Sequence, residues 1–118
     1  VSAPFHSSLM ASAAARLRDA LDRIAVNSPR IPVIHNVDAK SRSDAAGVKE
    51  ALVTQADHPV RWVECVREMA ARGATQVFEC GPGKVLAPLV RRTAEGLQGI
   101  ALADRAGLEQ GAQLSKAA

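Results

Sequence analysis

The sequence of 118 residues is poor in aromatic side chains, containing only Phe5, Trp62 and Phe78 and no tyrosine. This scarcity leaves no stacking platform for single-stranded nucleic acid. The net charge is only +3, from 15 basic and 12 acidic residues, and the basic residues alternate with acidic ones along the predicted helices. Such a distribution is typical of a solvated surface. We therefore predict that nucleic acid is not a partner.

Histidine and cysteine are also scarce, with three and two residues respectively. His6, His35 and His58 lie far apart, and neither cysteine belongs to a C-x-x-C motif. Because the spacing of metal ligands is missing, we predict no metal site and no cofactor. Cys65 and Cys80 each lie in an apolar run of the kind that buries free thiols. We therefore predict two buried, reduced thiols in a cytoplasmic protein.

Long apolar runs are missing as well. No segment reaches the roughly 18 uncharged apolar residues of a membrane span, and the N-terminus lacks the basic region and apolar core of a signal peptide. We therefore expect that the chain neither associates with a membrane nor carries a targeting segment. The chain begins with Val1 rather than methionine, and we expect it to be a piece of a longer chain.

What the sequence does contain is a regular alternation of helical and strand patterns. Apolar residues recur at intervals of three and four in the first helix, which Ser7 or Ser8 can cap. A later helix has Asp57 as its predicted cap, Pro59 in its first turn and Gly73 at its end. The predicted helices cover residues 8–26, 44–54, 57–72 and 84–93, and the predicted strands cover residues 31–37, 75–80 and 99–103. The tail, residues 105–118, is predicted to be a weak helix that frays.

This order of elements favours an α/β fold with a mostly parallel sheet flanked by helices. Three strands alone leave sheet edges and helix faces uncovered. We therefore expect residues outside this chain to complete the sheet.

His6 is the first candidate for chemistry because it lies just before a helix. The positive end of the helix dipole disfavours the imidazolium and helps to keep a neutral base near physiological pH. A histidine at a helix start is, however, more often a capping or packing residue. Its position alone leaves both interpretations open.

The stretch CGPGKV, which begins at Cys80, offers two further candidates. Cys80 precedes a sharp turn into a helix, where His6 could activate it as a nucleophile. Alternatively, the amides of Gly81, Gly83 and Lys84 could hold a phosphate at the helix N-terminus. The glycine spacing fits neither the phosphate loop nor G-x-G-x-x-G. A buried thiol beside a tight turn is the structural alternative.

Four stretches, read together, resemble a known family. VSAPFHSSLM, PVIHNVDAK, ALVTQADHPVRW and VFECGPGKVLAPLVRR, in this order and separation, are similar to the C-terminal portion of malonyl-CoA:acyl carrier protein transacylases. The resemblance covers nearly the whole chain and weakens after about Gly99. It implies that residues 1–118 are the C-terminal segment of the acyltransferase catalytic domain, within its large α/β-hydrolase-like subdomain.

The resemblance implies a serine–histidine mechanism in which malonyl passes from malonyl-CoA through an acyl-serine to the phosphopantetheine thiol of acyl carrier protein. His6 matches the catalytic histidine. In the family a main-chain carbonyl orients this histidine, and Gln55 matches that position. The last carbonyls of a helix lack intrahelical partners, so this one can accept the Nδ1 proton and leave Nε2 free as the base.

Other residues receive weaker roles from the resemblance. Phe5 matches a residue whose ring could form a wall of the acyl pocket and crowd an α-methyl branch, although a plain core contact is equally consistent. His35 and His58 are expected to be structural, the latter at a helix start. The family also implies a monomer.

The sequence departs from the family in what it omits. Nothing in it resembles G-x-S-x-G, the motif that carries the nucleophilic serine, and the arginine that binds the malonyl carboxylate lies upstream in the family. We therefore expect this chain to be inactive without the missing N-terminal part of the same enzyme. The alternative hypothesis is a non-enzymatic module that binds an anionic or acidic partner through Gly81–Lys84, Arg91 and Arg92.

Overall fold

A computed structural model describes residues 3–117, and the chain divides into two compact units, Val1–Cys65 and Val66–Ala118. The first unit is helical: a short 3-10 helix, Ser8–Met10, leads into α1, Ala11–Asp22, and α2 spans Ala45–Thr54. α1 packs against α2. The buried apolar residues of these two helices are Ala14, Ala51 and Val53.

The first helix differs from its prediction at both ends. α1 stops at Asp22 rather than at residue 26. The predicted serine cap is wrong, because Ser7 makes no side-chain capping bond. The apolar pattern is only partly buried, since Leu9 is 75% exposed. For α2 the predicted bounds are confirmed within one residue, and the Asp44 carboxylate caps it by accepting from the Gly47 amide at 2.8 Å.

α3, Trp62–Ala71, begins five residues later than predicted. Asp57 does not cap it, because its carboxylate accepts a hydrogen bond from His58 Nδ1 at 2.6 Å. The predicted end is confirmed: the Gly73 amide donates to the Ala70 carbonyl at 2.9 Å, and Gly73 has a φ of +86°. A left-handed residue of this kind is what glycine supplies after a helix.

The strand predicted for residues 31–37 is wrong. This segment pairs with no strand in the described part of the chain. Instead it leads into a turn in which the His35 amide donates to the Lys40 carbonyl at 3.0 Å and the Ala39 amide to the His35 carbonyl at 2.9 Å. β-branched residues supply strand propensity, but a strand also needs a neighbour to complete its ladder.

The second unit is a β-α-β arrangement followed by a helix. β1, Gln76–Glu79, pairs in parallel with β2, Gln98–Ala101. α4, Leu86–Thr93, connects them and packs on both strands, and α5, Arg105–Ala117, packs on β2. The mixed α/β class with a parallel sheet is confirmed, with two strands among the described residues rather than three. The helix expected after Asp104 is α5.

Gly99 sets how closely α4 approaches the sheet. A Cβ built on Gly99 would lie 2.2 Å from the carbonyl oxygen of Ala87 in α4, so only glycine fits at this contact. The buried apolar residues of α4, β2 and the turn between them are Ala87, Val90, Leu97 and Ile100. None of the helices within residues 3–117 is long and apolar enough to cross a membrane.

Candidate active site

His6 lies in a tight turn immediately before the first helix. Phe5 and His6 are its central residues, and His6 has a φ of +58°. Type II turns require a positive φ at their second central residue, where glycine and asparagine are preferred. For a residue with a Cβ the left-handed conformation costs roughly 1–2 kcal/mol. Such strained residues cluster at functional sites, and His6 is exposed to solvent.

The imidazole of His6 bonds to the main chain 49 residues away. Nδ1 lies 2.8 Å from the carbonyl oxygen of Gln55. A carbonyl oxygen carries no proton, so the bond forms only when Nδ1 is the donor. In the neutral ring this places the lone pair on Nε2. The arrangement can accept a proton at Nε2 and hold the resulting imidazolium by the same bond.

The Gln55 carbonyl is available because α2 ends there. Gln55 is the C-cap of α2, and its own amide donates to the Ala51 carbonyl at 3.0 Å. The last carbonyls of a helix have no partner further along the helix, and they carry the partial negative charge of its dipole. The side chain of Gln55 takes no part in the bond to His6.

An ion pair joins the two helices that bear the site. Arg18 of α1 donates to both carboxylate oxygens of Glu50 in α2, at 2.8 and 3.1 Å. Both side chains are exposed, so the pair adds little to stability. Its bidentate geometry links α1, which follows His6, to α2, which presents Gln55.

No protein-family profile matches the chain. Over 108 residues it is 43% identical to the malonyl CoA-acyl carrier protein transacylase of Salmonella typhimurium, a match that covers 92% of the chain and 35% of the relative. It superposes on the crystal structure of an acyl-carrier-protein S-malonyltransferase from Burkholderia pseudomallei with a TM-score of 0.87 and 50% identity, over 96% of the chain and 37% of that structure. The chain corresponds to a portion of the malonyl-CoA:acyl carrier protein transacylases.

A third relative shows a transacylase of this kind with a protein bound. It is a malonyl-transacylase in complex with a type II PKS acyl-carrier protein, 38% identical and superposing with a TM-score of 0.89 over 97% of the chain and 37% of that structure. The chain thus spans about a third of the length of the relatives it matches.

Phe5, beside His6 in this transacylase portion, is 56% exposed. Both interpretations of its ring, a wall of the acyl pocket and a plain core contact, stay predictions. The ring projects from the same turn as the imidazole of His6.

The other two histidines take no part in the bond between His6 and Gln55. His35 is buried, with 3% exposure. Burial and the positive charge of Arg42 lower the pKa of His35, while Asp38 opposes them. The His35 carbonyl accepts from Cys65 Sγ at 3.6 Å. His58 is exposed and bonded to Asp57.

Glu79 occupies the start of α4, just after the Gly81, Gly83 and Lys84 amides of the phosphate hypothesis. Its carboxylate accepts from the amides of Ala87 at 2.8 Å and Val85 at 3.1 Å. These backbone bonds, with one from the Leu86 amide the largest cause, lower the pKa of Glu79. α4 begins at Leu86, two residues later than predicted. The amides at its first turn therefore already hold an anion from within the chain.

Two of the three charged residues of the alternative binding module, Lys84 and Arg91, already have partners within the chain. Lys84 forms an ion pair with Asp104, and Arg91 donates to the Gly99 carbonyl at 2.9 Å. No contact among the described residues favours an anionic partner at Gly81–Lys84. The sequence does not predict that Glu79 binds the amides at the start of α4. Glu79 lies six residues before the first of these amides, whereas an ordinary helix cap lies two or three residues before the amide that it binds.

The two thiols differ in exposure. Cys65 is buried, as predicted, and Cys80 is exposed, so its predicted burial is wrong. Cys80 directly follows the last residue of β1. It lines a cavity of about 400 Å³ together with apolar residues that include Phe78, Leu102 and Leu108. Cys80 stays one of the candidates that the sequence offers for a nucleophile, and no contact among the described residues tests that role. Within residues 3–117 no three His, Cys, Asp or Glu side chains form a group that could hold a metal ion.

Proposed function

We propose that this chain is the C-terminal part of a malonyl-CoA:acyl carrier protein transacylase and supplies its general base, His6. One observation carries the proposal: Nδ1 of His6 lies 2.8 Å from the Gln55 carbonyl. A base oriented by a main-chain carbonyl needs no aspartate. The similarity to malonyl transacylases extends over nearly the whole chain and supports the same conclusion.

In the first half-reaction Nε2 of His6 removes the proton of a serine hydroxyl, and the serine oxygen attacks the thioester carbonyl of malonyl-CoA. The C–S bond breaks, and the imidazolium returns the proton to the departing CoA thiolate. In the second half-reaction Nε2 takes the proton of the phosphopantetheine thiol of acyl carrier protein. The thiolate attacks the malonyl-serine, and the serine oxygen recovers the proton. The bond from Nδ1 to Gln55 stabilises the imidazolium in both halves.

The serine, the oxyanion hole and the arginine for the malonyl carboxylate belong, in this proposal, to residues outside the chain. Malonyl-CoA and acyl carrier protein are therefore substrates of the whole enzyme. The relative in complex with an acyl-carrier protein supports the second of these partners. Phe5, exposed beside His6, forms part of the wall of the acyl pocket and disfavours an α-methyl branch.

A hybrid enzyme tests the role of His6. In it, this chain replaces the matching segment of the Burkholderia pseudomallei malonyltransferase, and malonyl transfer to acyl carrier protein is measured. We expect His6→Asn to lower kcat by about 10³-fold, within the range for loss of a general base. Asparagine tolerates the left-handed backbone better than alanine does, so the variant removes the base with little strain.

Two further variants of the hybrid enzyme serve as controls. Gln55→Ala keeps the main-chain carbonyl, so kcat should stay within roughly twofold of the unmodified hybrid. His58→Asn removes an exposed imidazole that bonds to Asp57 and should leave kcat unchanged. An active His6→Asn hybrid would contradict the proposed function.

The proposed inactivity of this chain by itself is tested by intact-mass measurement after incubation with malonyl-CoA. We expect no malonyl adduct on the 118-residue chain and one malonyl group on the hybrid enzyme. An adduct on the isolated chain would instead assign a nucleophile such as the exposed Cys80 to these residues.

A further inference from the structure

The turn that bears His6 is closed by a side chain. The hydroxyl of Ser7 donates to the carbonyl oxygen of Pro4 at 2.8 Å, spanning the two central residues Phe5 and His6. Ser7 itself is extended, with φ −139° and ψ 164°. Its hydroxyl therefore points back towards the turn and makes no capping bond to the helix that follows.

The carbonyl of Ser7 acts in the opposite direction along the chain. It accepts from the Met10 amide at 2.9 Å and so begins the 3-10 helix. Ser7 thus holds the turn through its side chain and the helix through its main chain. His6 lies between these two attachments, in a conformation that its own Cβ disfavours.

We propose that Ser7 is a positioning residue for His6. Its hydroxyl holds the Pro4–Ser7 turn in the left-handed form from which Nδ1 of His6 reaches the Gln55 carbonyl. The inference rests on the proposed function of His6 as a base. It adds that the orientation of that base depends on two hydrogen bonds: one from Nδ1 to Gln55 and one from the Ser7 hydroxyl to Pro4.

Ser7→Ala removes the second bond, and Ser7→Thr keeps a hydroxyl on the same carbon. Ser8→Ala is the matched control, because it deletes the same group one residue further on, where the hydroxyl bonds to no described residue. In the hybrid enzyme we expect Ser7→Ala to lower kcat by about tenfold with little change in KM. Ser7→Thr should restore most of the rate, and Ser8→Ala should match the unmodified hybrid.

A second measurement reads the imidazole directly. The chain has three histidines, so selective ¹⁵N-histidine labelling gives three pairs of ring-nitrogen signals, assigned by their loss in His6→Asn, His35→Asn and His58→Asn. At about pH 8, where an ordinary histidine is neutral, His6 should show one fixed tautomer protonated at Nδ1. Ser7→Ala should shift its two signals towards the average of both tautomers, and the signals of His35 should not move.

Fixed His6 signals that are unchanged in Ser7→Ala, or a His6 ring that already exchanges between tautomers in the unmodified chain, would overturn the inference. Equal kcat values for the Ser7→Ala and Ser8→Ala hybrids would overturn it as well. If instead the His6→Asn hybrid stays active, the proposed function fails, whereas the ring-nitrogen signals still decide whether Ser7 orients His6.

Discussion

At the scale of single residues, the chemistry of the site depends on a main-chain carbonyl that has no hydrogen-bond partner within its helix. The Gln55 carbonyl is free because a helix ends at that residue, and a carbonyl can only accept, so it selects the Nδ1-protonated form of His6. The sequence supports this pairing only through the family resemblance. The left-handed backbone of His6 and the bond from Ser7 to Pro4 leave no pattern in the sequence, because they depend on backbone angles rather than on composition.

Burial of His35 predicts that stability depends on pH. Because the pKa of His35 is lowered from 6.5 in the folded chain, the unfolded chain binds the proton more readily. The free energy of unfolding should therefore be fully maintained above about pH 6.5 and should decrease as pH falls below it. Urea unfolding between about pH 8 and pH 5 measures this decrease.

A comparison of two variants isolates the contribution of His35. His35→Asn removes the buried imidazole, so its unfolding free energy should change less over this pH interval than that of the unmodified chain. His58→Asn removes an exposed imidazole and should retain most of the original pH dependence. The same slope in His35→Asn and in the unmodified chain would contradict the prediction.

At the scale of elements, the sequence predicts those helix boundaries that depend on hydrogen bonds between nearby residues. The bounds of α2 and the end of α3 follow from nearby residues such as Gly73, and both are confirmed. The start of α3 is wrong because Asp57 bonds to His58, a choice between two neighbouring partners that spacing does not reveal. The strand over residues 31–37 is wrong because pairing is a property of two segments.

The contact between α4 and β2 predicts a large effect for a small substitution. Gly99→Ala would place a Cβ 2.2 Å from the Ala87 carbonyl oxygen, so α4 must move away from the strand. Overpacking of this kind typically costs 1–3 kcal/mol, and we expect about 2 kcal/mol of unfolding free energy to be lost. Gly83→Ala is the matched control, since its nearest neighbour would be Glu79 Oε1 at 3.9 Å. Denaturant unfolding of both variants measures the difference, and equal stabilities would show that α4 adjusts without cost.

At the scale of the whole molecule, the described residues leave much apolar surface in contact with solvent. Ile31 is 77% exposed, Leu9 75% and Val85 66%. Large apolar side chains exposed in this number are typical of surfaces that contact another part of a protein. The chain spans about a third of the length of its relatives, and we infer that the remainder of a transacylase covers part of this surface.

This inference predicts that the isolated chain binds a hydrophobic dye such as ANS more strongly than the hybrid enzyme does. Dye fluorescence is compared at equal molar concentration under native conditions, because the exposed apolar area per molecule, rather than unfolding, is the quantity of interest. A Leu9→Ser, Ile31→Ser double variant should bind less dye, since both side chains are exposed and their replacement leaves the buried residues untouched. If the isolated chain unfolds cooperatively and binds no more dye than the hybrid enzyme, it has no additional apolar surface that the rest of a transacylase would cover. These residues would then form an independent domain rather than a part of the transacylase core.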